Sequence, residues 1–117
     1  MSTFSSIQNQ NAWSIRREKD WVIVSVLGRV DSFNYESFCM QIVALVEEGC
    51  LQIALDLSQA KFLSLPSIRF VHAVAGQLKD KKGHLALLSA SEKLKRQIDI
   101  YGSLRPMEVY RSEAELA

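Results

Sequence analysis

Apolar residues along the chain change their spacing several times, from that of a strand to that of a helix and back. AWSIRR (12–17) alternates apolar and polar residues, and WVIVSVLG (21–28) is β-branched and almost continuously apolar. Alternation is typical of a half-buried strand, and a continuous apolar run is typical of a strand buried on both faces. The sequence therefore predicts two strands joined by a short polar turn, followed by a loop, RVDSFN (29–34).

Three later segments have a helical period instead. The first runs from Tyr35 to Glu48 and is followed by Gly49, a suitable helix end. The second begins at Pro66, and the third is opened by Ser89 with Glu92 in the pattern of a capping box. The residues expected to face the core are Tyr35, Phe38, Ile42, Leu45 and Val46, then Ile68, Val71, Val74, Ala75 and Leu78, then Leu94, Ile98 and Tyr101.

Apolar runs between the helices predict the remaining strands. They are LQIALDLS (51–58), HLALLS (84–89) and MEVY (107–110), after which Ser112 and Glu115 cap a terminal helical turn. The order is β-β-α-β-α-β-α-β-α. Strands that alternate with helices favour right-handed crossovers, so we expect an α/β fold with a mixed, mostly parallel sheet of four or five strands.

Length and composition fit one domain. The chain has 117 residues, of which 48% are hydrophobic, enough for a core that needs no disulfide or metal. Residues 1–12 are rich in Ser, Gln and Asn, so we expect a flexible tail followed by a single domain over 13–117. The sequence contains no signal-peptide pattern and no apolar run of about 20 residues, which predicts a cytoplasmic protein without membrane insertion.

The charge of the chain and its candidate reactive residues argue against several classes of function. The formal net charge is +1, so no general attraction to nucleic acid is expected. Cys39 and Cys50 fit no metal or redox spacing, and His72 and His84 have no Cys or His at ligand spacing. Nucleotide-binding and nucleophile motifs are absent from the sequence. We therefore expect a non-enzymatic protein without metal or cofactor.

Three segments carry a resemblance to a known family. LGRVD (27–31), LDLSQAKFLSLPSIRF (55–70) and GHLALLSASEKLKRQIDIYGSL (83–104) resemble a STAS domain, and the similarity covers residues 13–116. That family includes the anti-sigma-factor antagonists of bacterial partner-switching systems, which regulate transcription by binding proteins. The resemblance implies a STAS-like fold and a cytoplasmic signalling module.

The same comparison shows a departure at the family's regulatory segment. Phospho-regulated members begin a helix with Asp-Ser-Ser-Gly or a close variant, whereas this chain has Ser64, Leu65, Pro66 and Ser67. The comparison assigns the usual phosphoacceptor to Pro66, which has no hydroxyl group but fits the first turn of a helix. Ser64 and Ser67 are the candidate replacement phosphoacceptors and Ser58 is a further possible acceptor, although Ser64 is also a suitable N-cap.

The resemblance implies a partner-binding surface made of the segments 58–70 and 29–35. The implied partner is a protein such as a GHKL-type anti-sigma factor or serine kinase, and a homodimer is left open. We expect at least one of Leu65 and Phe70 to be exposed at the interface. The candidate partner-binding residues are Asp31, Ser32, Asp56, Ser58, Leu63, Ser64, Leu65, Pro66, Ser67 and Phe70.

Two other functions are consistent with the sequence. One is the STAS subunit of a lipid-asymmetry ABC transporter, which packs against an ATPase. The other is a small-ligand-binding STAS domain or an enzyme that uses Asp31 and Asp56 near the carboxyl ends of the strands, where α/β proteins often bind ligands.

Overall fold

The computed structural model of the chain describes residues 12–102 and 104–116 and contains seven strands and three α-helices in these ranges. The strands are β1 (Trp13–Glu18), β2 (Trp21–Val26), β3 (Arg29–Val30), β4 (Gln52–Asp56), β5 (Phe62–Leu63), β6 (His84–Leu88) and β7 (Glu108–Tyr110). The helices are α1 (Tyr35–Glu47), α2 (Leu65–Asp80) and α3 (Glu92–Gly102), and a 3₁₀ turn follows at Glu113–Glu115.

Five strands form the main sheet in the order β1-β2-β4-β6-β7. β1 is antiparallel to β2, and every later neighbour in this sheet is parallel. The register places Ile23 beside Ala54, and Ala54 beside Ala86. The predicted α/β architecture, with a mostly parallel sheet and one antiparallel pair at the start, is confirmed.

The helices cover one face of the sheet. Their predicted inward stripes are confirmed except at Tyr35 and Val46, which are only half-buried. The buried apolar helix residues are Phe38, Ile42, Leu45, Ile68, Val71, Val74, Ala75, Leu78, Leu94 and Ile98. The side chain of Tyr101, also predicted inward, lies outside the described residues. α2 packs against both α1 and α3, so the three helices lie side by side in one layer. None of the helices in the described ranges is long and apolar enough to cross a membrane.

The two opening strands differ in burial. Ile23, Val24 and Val26 of β2 are completely buried, as expected for a central strand. The half-burial predicted for β1 is wrong beyond Trp13, because this strand lies at the border of the sheet, and Ile15 remains 37% exposed. The predicted tail lies outside the described residues except for Ala12, which is buried and accepts a hydrogen bond from the N–H of Leu27 at 2.7 Å.

Two predicted caps are wrong. α3 begins at Glu92, and the hydroxyl of Ser91, not Ser89, accepts the bond from the N–H of Leu94 at 3.1 Å. Ser89 instead has a left-handed backbone (φ 59°) and donates to the carbonyl of Arg111 at 2.9 Å. A turn after β6 therefore separates the strand from the helix.

The predicted terminal turn is present as 3₁₀ helix, but its bonds differ from the expected cap. The carboxylate of Glu115 accepts from the N–H of Arg111 at 2.7 Å. Ser112 precedes the turn and does not cap it through its side chain within the described part of the chain.

Candidate partner-binding surface

A second, two-stranded sheet organises the loops at the carboxyl end of the main sheet. Where the sequence predicted only a loop, β3 pairs in parallel with β5, so that Arg29 lies beside Phe62 and Val30 beside Leu63. The N–H of Ser64 also donates to the carbonyl of Val30 at 2.9 Å. The two predicted binding segments therefore lie side by side. We call residues 31–34, 56–58 and 64–66, which lie at the carboxyl ends of β3, β4 and β5, the edge surface.

The loop before α1 is held by its own side chains. Asp31 accepts a hydrogen bond from the N–H of Phe33 at 3.0 Å, and the Asn34 side chain accepts one from the N–H of Asp31 at 2.9 Å. The amide of Asn34 also donates to the carbonyl of Arg29 at 2.9 Å. Asp31 and Asn34 therefore fix the shape of the loop, and Ser32 lies exposed within it. Asn34 is also the N-cap residue of α1, although its side chain makes no capping bond to a described residue.

Phe33 is the exposed aromatic side chain of this loop. It is 95% exposed, whereas Phe38 and Phe70 pack edge-to-face with ring centroids 6.3 Å apart. Sequence reasoning missed Phe33, because an aromatic residue inside a short polar loop has no periodic pattern that would reveal which way it faces. A large apolar side chain that is exposed to solvent, on a loop fixed by hydrogen bonds, is typical of an interaction surface.

The start of α2 is closed by two serines. Ser64 is the N-cap and accepts from the N–H of Ser67 at 3.4 Å, and Pro66 lies in the first helical turn as predicted. The hydroxyl of Ser67 donates to the carbonyl of Ser64 at 2.7 Å and is fully buried. α2 begins at Leu65, one residue before the predicted start.

Burial removes several predicted residues from the accessible surface. Leu63 is 3% exposed and Ser67 is 0% exposed, so neither side chain is accessible from solvent in this conformation. Phe70 was expected as a possible exposed residue but is half-buried against Phe38 and the core, and Leu65 is also half-buried. The exposed apolar residues of the edge surface are Phe33 and Pro66 instead.

Asp56 also serves a turn. Its carboxylate accepts from the N–H of Ser58 at 3.0 Å and from the hydroxyl of Ser25 at 3.4 Å. Asp31 and Asp56 thus both use carboxylate oxygens for local bonds. Among the described residues, no three His, Cys, Asp or Glu side chains are grouped so that they could hold a metal ion.

The two thiols and His84 make their contacts outside the edge surface. Burial raises the pKa of the Cys39 thiol above its ordinary value, and a hydrogen bond with Tyr35 only partly opposes this effect. Cys50 lies near the guanidinium of Arg17, with Sγ 3.7 Å from the Arg17 nitrogen. His84 forms an exposed pair with Glu108 near the opposite end of the sheet.

Known proteins share this sequence pattern and this fold. The STAS domain family profile matches residues 12–116. A putative anti-sigma factor antagonist, BtrV of Bordetella bronchiseptica, is 29% identical over 96 residues, which are 82% of this chain and 83% of BtrV.

Solved structures of anti-sigma factor antagonists have the same architecture. A putative anti-sigma factor antagonist from Thermotoga maritima superposes with a TM-score of 0.80 at 20% identity, and the match covers 88% of this chain and 89% of that protein. Unphosphorylated SpoIIAA gives a TM-score of 0.72 at 17% identity, covering 89% of this chain and 92% of its own. This chain belongs to the STAS domain family and has the fold of the anti-sigma-factor antagonists.

Proposed function

We propose that this chain is a non-catalytic protein-binding module that acts as an anti-sigma-factor antagonist in a bacterial partner-switching system, without the usual phosphoacceptor. It binds its partner through the edge surface. The observation that carries this proposal is the 95% exposure of Phe33 on a loop braced by hydrogen bonds and adjacent to the start of α2. The partner we propose is an anti-sigma factor of the GHKL kinase type.

Phe33 supports binding for two reasons. Removing an exposed aromatic ring from water is favourable, and aromatic residues are enriched in the cores of protein interfaces. The loop is already ordered by Asp31 and Asn34, so the partner does not have to order it on binding. A pre-organised loop with one large apolar anchor is suited to binding another protein.

The chemistry of the α2 start argues against regulation by phosphate there. Leu65 and Pro66 occupy the two hydroxyl positions of the family motif, and neither has a hydroxyl group. The Ser64 hydroxyl already caps α2, and Ser67 is fully buried. A phosphoryl group would add about two negative charges at this helix start, but the chain offers no free, accessible hydroxyl within 64–67 to accept it. Binding is then constitutive and is set by the supply of the partner.

Binding to purified GHKL-type anti-sigma factors from the source organism tests the proposal. We expect one of them to bind with 1:1 stoichiometry in isothermal titration calorimetry and expect Phe33→Ala to weaken that binding by about tenfold or more. Leu51→Ala is the matched control, because Leu51 is 43% exposed but lies immediately before β4, at the other end of the sheet.

Incubation with the same partner and ATP tests whether the segment at the start of α2 has lost regulation by phosphorylation. Peptide mass spectrometry should find no stoichiometric phosphate on residues 58–67. Stoichiometric phosphate on these residues would contradict the proposal that this chain lacks a regulatory phosphoacceptor. Specific, Phe33-dependent binding to a transporter ATPase, with no binding to any GHKL protein, would overturn the proposed partner class.

A further inference from the structure

The outer face of α1 carries exposed apolar residues flanked by acids. Met40 is 71% exposed and Val43 is 41% exposed, and both lie on the side of α1 opposite its buried residues. Glu36 and Glu47 are exposed at positions i−4 and i+7 from Met40, so all four side chains lie along one stripe of the helix. We call this stripe the acidic face.

The charge of the acidic face has little compensation from its own chain. The sequence contains no Lys or Arg between Arg29 and Lys61. Glu48, at the end of α1, pairs with Arg17, but Glu36 and Glu47 form no salt bridge with any residue in the described ranges. An apolar stripe with unpaired carboxylates fits a surface that is apolar and basic.

The outer face of α3 carries two basic residues that are unpaired in the described ranges, together with one exposed acid, Asp99, which lies three residues after Arg96. Ile100 is 76% exposed, and Lys93 and Arg96 lie at i−7 and i−4 from it on the same side of the helix. Lys95 pairs with Glu92 at 2.7 Å, whereas Lys93 and Arg96 form no salt bridge within the described part of the chain. We call the stripe of Lys93, Arg96 and Ile100 the basic face.

We propose that the helix layer binds a second copy of this chain, with the acidic face of each protomer against the basic face of the other. The three helices connect parallel strands and therefore run in one direction, side by side in the order α1, α2, α3. A two-fold axis along α2 reverses this order in the partner. It places α1 opposite the partner's α3 and α3 opposite the partner's α1, which closes the dimer.

The spacing of the two faces agrees with this arrangement. A two-fold axis parallel to the helices makes each pair of facing helices run in the same direction. On α1, seven residues separate Glu36 from Val43, and on α3 seven residues separate Lys93 from Ile100, a rise of about 10.5 Å in both cases. Lys93 can therefore lie opposite Glu36 where Ile100 lies opposite Val43. Each dimer contains this contact twice, so charge complementarity and apolar burial are both doubled.

The helix between the two faces allows close approach. Ala73 of α2 is exposed, and a methyl group added to Gly76 of α2 would meet nothing within 4 Å. These two residues leave room for α2 of the second copy between the longer exposed side chains of Arg69 and Gln77, which lie four residues before and after Ala73. The edge surface lies at the end of the sheet instead, so the dimer does not depend on the proposed partner.

Charge reversal with sedimentation velocity tests the dimer. One variant carries Glu36→Lys with Glu47→Lys, and the other carries Lys93→Glu with Arg96→Glu. We expect wild type to dimerise at low salt and expect each variant alone to raise the dissociation constant by about 100-fold or more, because like charges then face each other twice. Mixing the two variants should restore a dimer, since each reversed face meets its complement.

The mixing experiment distinguishes the proposed pairing of the acidic and basic faces from an effect of overall charge on association. Lys19→Glu with Lys82→Glu reverses two exposed lysines outside both faces and should leave dimerisation unchanged. Circular dichroism of each variant controls for folding. Wild-type protein that stays monomeric at every concentration, variants that dimerise like wild type, or a mixture that stays monomeric would each overturn the proposal.

Discussion

The hydroxyl of Ser67 lies completely buried and donates a hydrogen bond to the backbone carbonyl of Ser64 at 2.7 Å. The Ser64 hydroxyl in turn donates to the Ser67 oxygen at 3.1 Å, so the two residues close the first turn of α2 on itself. Both side chains therefore act in the structure of the helix start. The start of α2 is therefore a hydrogen-bonded cap made by these two serines.

Replacing Ser67 tests this structural role. Ser67→Ala removes one buried hydrogen bond, while the Ser64 carbonyl keeps its bond from Ile68, so we expect a loss of about 1 kcal/mol in the free energy of unfolding. Ser67→Asp places a carboxylate at a fully buried position and should cost about 3 kcal/mol or more. Urea denaturation at neutral pH measures both values.

The exposed Ser58 provides the control for that series. Ser58→Asp should change the free energy of unfolding by less than about 0.5 kcal/mol, because the new carboxylate stays in water. An equal loss for Ser58→Asp and Ser67→Asp would contradict the burial of Ser67.

Phe33→Ala should separate binding from folding. Because the ring is 95% exposed, its removal should change the free energy of unfolding by less than about 0.5 kcal/mol, although it weakens partner binding. Phe38→Ala, which removes a ring that is only 1% exposed, should cost about 3 kcal/mol or more. Comparable losses for the two substitutions in thermal or chemical unfolding would show that Phe33 packs in solution.

Two glycines should respond in opposite directions to alanine. A Cβ at Gly83 would collide with the Leu51 carbonyl group, where backbone atoms of two segments meet, so Gly83→Ala should lower the free energy of unfolding by about 2 kcal/mol or more. Gly76 lies inside α2 with open space around it, so Gly76→Ala should raise the free energy of unfolding by about 0.5–1 kcal/mol. Parallel urea titrations measure both; destabilisation of both variants would contradict the open space at Gly76.

The Cys39 thiol should react slowly in the folded protein. Burial raises its pKa, so near pH 8 less of it is thiolate than in the unfolded chain, and only the thiolate attacks an alkylating reagent. Peptide mass spectrometry after brief iodoacetamide treatment should show slower labelling of Cys39 in native protein than in urea. The difference should shrink as the pH is raised, because the folded thiol then ionises as well; equal rates near pH 8 would argue against the pKa shift.

Most of the fold could be predicted from the sequence because periodicity records which side of an element is buried. The spacing of Ile68, Val71 and Leu78 identified the inward face of α2, and the apolar run of β2 identified a central strand. Proline and glycine marked the element ends near Pro66 and Gly49. These features depend on neighbours close in the chain.

The details of the edge surface depend on residues far apart in the chain. β3 and β5 have two residues each, too few to show a period, and their pairing joins segments that are separated by the whole of α1 and β4. The exposure of Phe33 and the burial of Ser67 follow from how these segments pack. Local sequence determined the elements and their inward faces, whereas only the tertiary structure decided which loops meet and which of their side chains reach water, because both are set by contacts between distant parts of the chain.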